Sequence, residues 1–94
     1  MSYELGFLAD ALKEWRKLDN SVREQFKKKL AERLANPHIP AARLSGENKN
    51  RYKIKLRDAG YRLVYEVRDQ VLLVVVVAVG KRERNLVYRI AARR

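Results

Sequence analysis

Lys53, Lys55 and Arg62 are the residues of this sequence best equipped for chemistry. Residues 51–57 alternate strictly, with Tyr52, Ile54 and Leu56 on one side and Arg51, Lys53, Lys55 and Arg57 on the other. Side chains of an extended strand point alternately to opposite faces, so the pattern predicts a half-buried strand with a wholly cationic outer face. Gly60 closes a short turn after Asp58 and Ala59. Residues 61–65 then predict a second strand, antiparallel to the first, which sets Arg62 beside the same cationic row. Like charges facing one another weaken a sheet, and a sheet with only a structural role would intersperse the signs. Two readings stand: a solvated basic surface, or an anion site whose best-fitting ligand is RNA phosphate.

Two downstream residues extend the set: Arg82, after the next strand, and Tyr88, six positions further on. Cleavage of RNA by its own 2'-OH needs a base for that proton, cations at the pentavalent phosphorus, and a proton for the leaving 5'-oxygen. No His or Glu stands on the predicted face except Glu66, which fits a salt bridge with Arg62 equally well. Lysine serves as a base if its pKa falls, and crowding by other cations disfavours its charged form. Lys53 and Lys55, flanked by Arg57 and Arg62, meet that condition. Arginine stays protonated and forks onto phosphate oxygens, so Arg62 and Arg82 suit charge stabilisation. Tyr88 either stacks on an unpaired base or simply packs a helix on the sheet.

Composition narrows the alternatives. Ninety-four residues predict one small domain, and an apolar content of 47% is ordinary for a folded protein. Without Cys, and with one His, neither a disulfide framework nor a thiolate or His-based metal site is expected, and no cofactor is implied. The 22 Lys and Arg outnumber the 11 Asp and Glu, a net charge of +11 that favours polyanions, whether nucleic acid or an acidic protein. The start of the chain lacks a basic, apolar leader pattern. The longest apolar run, 71–79, is nine residues, about half of the roughly 20 that span a bilayer. A cytoplasmic location with no membrane partner is expected.

The elements that must position these residues follow from periodicity. Residues 3–7 alternate as a short first strand. Leu8, Leu12, Trp15 and Leu18 recur at helical spacing, with Trp15 a core residue. Ser21 and Glu24 read as a capping box for a second helix with Val22, Phe26, Leu30 and Leu34 inward, which ends at Asn36-Pro37. The short link between the helices predicts an antiparallel hairpin. The run Lys27-Lys28-Lys29 lies on its outer surface, either solvated or in secondary contact with RNA, and Glu32 and Arg33 also face solvent. Residues 37–50 read as a loop in which the lone His38 is packed or exposed rather than catalytic. Residues 68–70 form a tight turn, 71–79 a central strand buried on both faces, and Leu86, Val87, Ile90 and Ala91 belong to a short last helix. The expected fold is α+β, in the order β-α-α-β-β-β-α: a four-stranded antiparallel or mixed sheet covered by the N-terminal helix hairpin, with a short C-terminal helix.

Leu12-Lys-Glu-Trp-Arg-Lys-Leu18, Tyr52-Lys-Ile-Lys-Leu-Arg57, Gly60-Tyr-Arg-Leu-Val-Tyr65 and Val79-Gly-Lys-Arg-Glu-Arg84 with Val87-Tyr88 resemble the RelE toxins over nearly the whole chain. The resemblance implies a microbial-RNase-like fold. It implies a ribosome-dependent mRNA interferase of a toxin–antitoxin pair, which cuts the A-site codon of the 70S ribosome and leaves a 2',3'-cyclic phosphate. The family's catalytic positions coincide with Lys53, Lys55, Arg62, Arg82 and Tyr88, and the roles of base and acid among the lysines and Arg82 stay open. RNA or ribosome contacts are expected at Arg51, Arg57, Lys27, Lys28, Lys81 and Arg84. Ser45 departs from the basic residue expected there. The resemblance further implies an acidic RelB-type antitoxin that covers the basic face and displaces the last helix. Operator DNA is met only indirectly, through the antitoxin complex. A non-catalytic RNA-binding module, or a basic protein docking an acidic partner, are the competing readings.

Overall fold

The computed structural model of the chain describes residues 2–46 and 50–94; residues 47–49 of the expected 37–50 loop lie outside the described residues. Four strands form one sheet in the order β1-β4-β3-β2, where β1 is Glu4–Phe7, β2 Arg51–Leu56, β3 Tyr61–Arg68 and β4 Leu73–Lys81. The sheet is mixed: β1 runs parallel to β4, and β2, β3 and β4 are successively antiparallel. The β2–β3 register confirms the predicted alternation, with Tyr52, Ile54 and Leu56 buried beneath the cationic row.

Helices α1 (Ala9–Arg16) and α2 (Asn20–Ala35) cover one face. Their Trp15, Val22, Phe26 and Leu30, with Leu18 of the link between them, join Ile54, Leu63, Tyr65 and Val76 in the main core. Trp15 lies between Phe7 and Phe26, with ring centroids 5.2 and 6.3 Å away. Helix α3 (Leu86–Arg93) packs on the opposite face, burying Val87 and Ala91 against Val64, Val77 and Ala78.

A register shift opposite Val64 and Tyr65 explains how the valine run of β4 serves both faces. Consecutive residues Val77 and Ala78 both reach the α3 cluster, whereas Val76 and Val79 reach the main core. A β-bulge sets two residues against one and so breaks the strict alternation. The β1 pairing stops at Phe7 and Val76, which leaves the outer edge of β4 beyond that point unpaired by a strand. Glu14 accepts the Val79 N–H (3.2 Å), and Arg94 donates to the Val77 carbonyl (2.9 Å) while forking onto both oxygens of Glu14. Edge backbone groups that no strand covers are thus met by an ion pair joining α1 to the end of α3.

Three local expectations are corrected. Asp19, not Ser21, caps α2: its carboxylate accepts the Ser21 N–H and its carbonyl the Arg23 N–H. The helix therefore starts earlier, and Arg23 reaches back to the carbonyls of Leu18 and Arg16 at the end of α1. Strand β3 continues past Tyr65 to Arg68. Strand β4 begins at Leu73 rather than Val71, because Asp69–Val71 form a 3-10 turn that Leu72 closes in the left-handed region (φ 51°), leaving Val71 exposed. Hydropathy alone gave Val71 and Leu72 to the strand, whereas the reversal from β3 to β4 needs them.

Candidate active site

The cationic row of β2 and β3 lies on the α3 face of the sheet. In register, Lys55 stands directly opposite Arg62, and Arg62 stands opposite Gly80 of β4. Gly80 carries no side chain, and a Cβ there would lie 3.5 Å from Val87, so the glycine leaves room for α3 to pack close beside Arg62. Arg62 is buried, and one of its guanidinium nitrogens donates to its neighbour's carbonyl at Tyr61 (2.9 Å). Tyr88, half-buried on the first turn of α3, faces it. Burial pushes the Tyr88 phenol above its usual pKa, and the nearby Arg62 guanidinium opposes that rise.

Arg82 completes the cleft. Its N–H donates to the Gly60 carbonyl (2.8 Å), which ties the end of β4 to the β2–β3 turn. Arg84 and Asn85 are both left-handed (φ 43° and 63°), and this pair folds the chain back from β4 into α3. The reversal brings Tyr88 over the sheet. One cleft is consequently lined by Lys55, Arg62, Lys81, Arg82, Glu83, Asn85 and Tyr88, with Leu86 and Val87 as its apolar wall. Four of the five residues singled out for catalysis meet there. Lys53 does not line it; it sits opposite Val64, two positions along β2, in a neighbouring groove that also contains Lys55.

The electrostatics follow from this crowding. Lys55 is exposed, yet its ammonium pKa is lowered from the usual 10.5 by Lys53 first, then by desolvation, then by Arg62 and Arg57. No carboxylate faces it across the sheet, because the register gives it Arg62.

The other basic positions divide. Lys81 lines the cleft and Arg57 the neighbouring groove, while Arg84 lines a depression beside Arg82 and Glu83. Lys27 pairs with Glu24 on the exposed face of α2 (2.9 Å), and Lys28 is exposed beside it. Arg51 is turned to structure: it bonds Glu66 (3.1 Å), its partner across β3, and the Ala91 carbonyl of α3. Glu66 also takes Arg68 at 2.7 Å, so it partners Arg51 and Arg68 rather than Arg62. His38 bridges Tyr52 and Asp69 at 2.8 Å each and lies outside the cleft.

Sequence reasoning missed one residue near the cleft, Glu83, and left two others, Lys29 and Arg33, as outer helix surface. Glu83 is a carboxylate on the cleft rim, hidden from strand periodicity because it lies in the reversal after β4. Lys29 and Arg33 approach the row from α2: Lys29 shares a depression with Lys55 and Arg57, and Arg33 lines the groove beside Lys53. Their spacing was the available signal, since residues four apart share a helix face.

Comparison with known proteins agrees with this architecture. Residues 5–86 match the family described as the ParE toxin of type II toxin–antitoxin systems. The chain is 56% identical to the mRNA interferase toxin RelE of Escherichia coli K12, over all of this chain and 98% of that protein. It belongs to the RelE/ParE toxin family. A free E. coli RelE, an arginine-to-alanine double mutant, superposes with a TM-score of 0.89 at 54% identity, covering 99% of this chain and 97% of that one. The toxin of the intact E. coli RelBE complex gives 0.83 at 57% identity, covering 88% and 100%. A RelBE2 complex of Mycobacterium tuberculosis, at 20% identity and a TM-score of 0.70, shares the fold over 87% of this chain and all of that one. The RelE-type fold expected from the sequence is therefore the observed one.

Proposed function

We propose that this RelE/ParE toxin is a ribosome-dependent endoribonuclease that cuts mRNA in the A site by attack of the 2'-OH on the adjacent phosphorus. The observation that carries the reading is the meeting of Lys55, Arg62, Arg82 and Tyr88 in one cleft. The E. coli relative at 56% identity is named an mRNA interferase, which supports the same chemistry.

Neutral Lys55 accepts the 2'-OH proton as O2' bonds to phosphorus. Arg62 holds the non-bridging oxygens, whose charge rises in the pentavalent transition state. Arg82 offsets the charge on the departing 5'-oxygen, which takes a proton from solvent as the P–O5' bond breaks, leaving a 2',3'-cyclic phosphate and a 5'-hydroxyl. Tyr88 stacks on the base beside the cut and orients its ribose. Lys53 acts through Lys55, whose ammonium it destabilises more than any other group does. Such a site needs its RNA held in line, and the decoding centre of the ribosome supplies that alignment.

Among the similar E. coli RelE structures, one is the intact RelBE complex and another holds a RelB peptide. An acidic RelB-type antitoxin covering the cationic face fits the charge of this chain, and operator DNA is then met only through that complex. The reading places the toxin in the cytoplasm, where translating ribosomes are; among the described residues no helix is long and apolar enough to cross a membrane.

The test is cleavage of mRNA on programmed 70S ribosomes, read by primer extension and by the cyclic phosphate end. Wild type is expected to cut within the A-site codon. Arg62→Ala, which removes transition-state charge stabilisation, is expected to lose about 10²- to 10³-fold in rate. Lys55→Ala is expected to lose about 10²- to 10⁴-fold, the usual range for a general base. Loss of cutting in Glu83→Gln with full activity in Lys55→Ala would move the base to the carboxylate and overturn the assignment. Binding of RNA without any cyclic-phosphate product would favour a non-catalytic module.

A further inference from the structure

The cleft does not end at Lys55. Across that residue, on the far side from Arg62, a second groove runs along the free edge of β2. Its floor and near wall are Lys53 and Arg57; its far wall is Arg33 of α2 with Ile39, Ala41 and Ala42 of the segment that follows α2. Lys55 lines both grooves.

The second groove is a built feature. Arg33 donates to the Lys53 carbonyl (3.3 Å) on the strand edge that β3 does not cover, and to the Tyr65 hydroxyl (2.8 Å), with its guanidinium carbon 5.6 Å from the Tyr65 ring centroid. Tyr65 in turn donates to the Pro37 carbonyl (2.7 Å), which anchors the start of the far wall. The middle of that wall is a 3-10 turn, Pro40–Ala42, and beyond it Arg43 bridges to Tyr52 of β2. The His38 ring, bonded to Tyr52 and Asp69, holds the same segment from the other side. The wall is thus held at four points, Arg33, Pro37, His38 and Arg43.

Its chemistry differs from that of the rest of the surface. Glu14, Glu24 and Glu66 pair with Arg94, Lys27, Arg51 and Arg68, all away from this groove. Among the described residues that line it, there are cations and small or apolar side chains and no carboxylate. A groove lined by four cations, with an apolar stretch at Ile39, Ala41 and Ala42, matches a single RNA strand, whose phosphates seek charge and whose sugars and bases seek apolar surface.

We propose that this groove is a second nucleotide subsite, in which Arg33, Lys53 and Arg57 hold a phosphate next to the cleaved one while Ile39 and Ala41 take the attached sugar or base. Lys55 stands at the junction of the two grooves. The proposal rests on the reading of the first cleft as the site of RNA cleavage. It gives Arg33 a positioning role that strand periodicity did not show.

The experiment separates the two ideas. A short fluorescent single-stranded RNA, 2'-O-methylated so that it is not cut, is titrated with the purified protein by anisotropy at a series of KCl concentrations. Each phosphate contact on a single strand contributes about 0.7 to the slope of log K against log salt. Arg33→Gln and Arg57→Gln are each expected to make the slope shallower by about that amount. Ala41→Asp, at an exposed position with no hydrogen bond to the core, sets a carboxylate in the groove and is expected to weaken binding about tenfold. Lys13→Gln, on the exposed side of α1, is expected to bind as wild type. If Arg57→Gln and Ala41→Asp bind as wild type does, or Lys13→Gln loses as much as they do, the subsite is overturned. Because the RNA is not cleaved, the result stands whether or not wild type cuts mRNA on the ribosome; that separate assay alone decides the reading of the first cleft.

Discussion

A lysine acts as a base only in its neutral form, so the value of Lys55 depends on its neighbours. Lys53 does most to hold its pKa below 10.5, ahead of desolvation, Arg62 and Arg57. In Lys53→Gln the largest lowering influence is gone, the Lys55 pKa rises, and less of it is neutral at pH 7. The ascending limb of the pH–rate profile is therefore expected to move to higher pH, with a slower rate at neutrality that recovers in alkali. Single-turnover cleavage on programmed ribosomes measures this, and a profile that kept its shape would remove Lys53 from the mechanism. The same residue scale shows what alternation conceals. Arg51 has the strand position of Lys53 and Lys55, but its cross-strand neighbour is Glu66, whereas theirs are Val64 and Arg62. Spacing gave all of them one face; the partner across the strand divided their roles.

Among the elements, α3 matters most, because it carries Tyr88. It is short, and two side chains fasten its far end: Arg51 on the Ala91 carbonyl and Arg94 on Glu14. The Arg94–Glu14 pair is mostly buried and bidentate, and hydrogen bonds to charged groups contribute about 1.5–3 kcal/mol each. Glu14→Gln keeps the shape and an acceptor for the Val79 N–H but loses the charge. A destabilisation of about 1–3 kcal/mol is expected, with each kcal/mol lowering Tm by about 4–8 °C in a domain of this size. Thermal unfolding followed by circular dichroism checks it, and an unchanged Tm would show that the clamp contributes nothing. The existence of α3 was legible from Leu86, Val87, Ile90 and Ala91. Its docking was not: Glu14 and Arg94 are 80 positions apart, and no local pattern links them. The cap of α2 was misread for a related reason. Ser21 and Glu24 fit a capping box, but Asp19 offers a carboxylate earlier in the chain, and starting there lets Arg23 close α1.

At the scale of the whole molecule, the net charge of +11 is unevenly placed. The paired carboxylates lie away from the row formed by Lys53, Lys55, Arg57 and Arg62. Such a field speeds encounter with an acidic partner, and salt screens it. The association rate with an acidic antitoxin is expected to fall about tenfold or more from low to physiological salt, with a smaller change in dissociation; stopped-flow mixing reads both, and a salt-independent rate would argue against steering. Acid should loosen the fold through two carboxyls. Burial raises the Glu66 pKa, but the hydrogen bonds of Arg68 and Arg51 outweigh it and leave the pKa below 4.5. The Tyr3 hydroxyl, then His38, lowers Asp69 below 3.8. Groups with depressed folded-state values stabilise fully above their unfolded values, and that contribution is lost as pH falls through the folded ones. Urea midpoints are expected to drop below about pH 4.5 in wild type and to drop less in Glu66→Gln and Asp69→Asn. Equal acid sensitivity in all three would place the titrating group elsewhere.

The sequence by itself determined the cationic strand, its buried underside, the order of the elements and the family, since period-2 and period-3.6 patterns are written in neighbouring residues. Only the tertiary structure set Lys55 rather than Lys53 in the cleft with Arg62. It also drew Arg51 away to Glu66 and α3, and brought Glu83 and Arg33 up to the row. Those outcomes depend on cross-strand register, on a bulge in β4 and on two left-handed residues before α3. Each is a long-range or backbone-geometry choice that hydropathy does not encode.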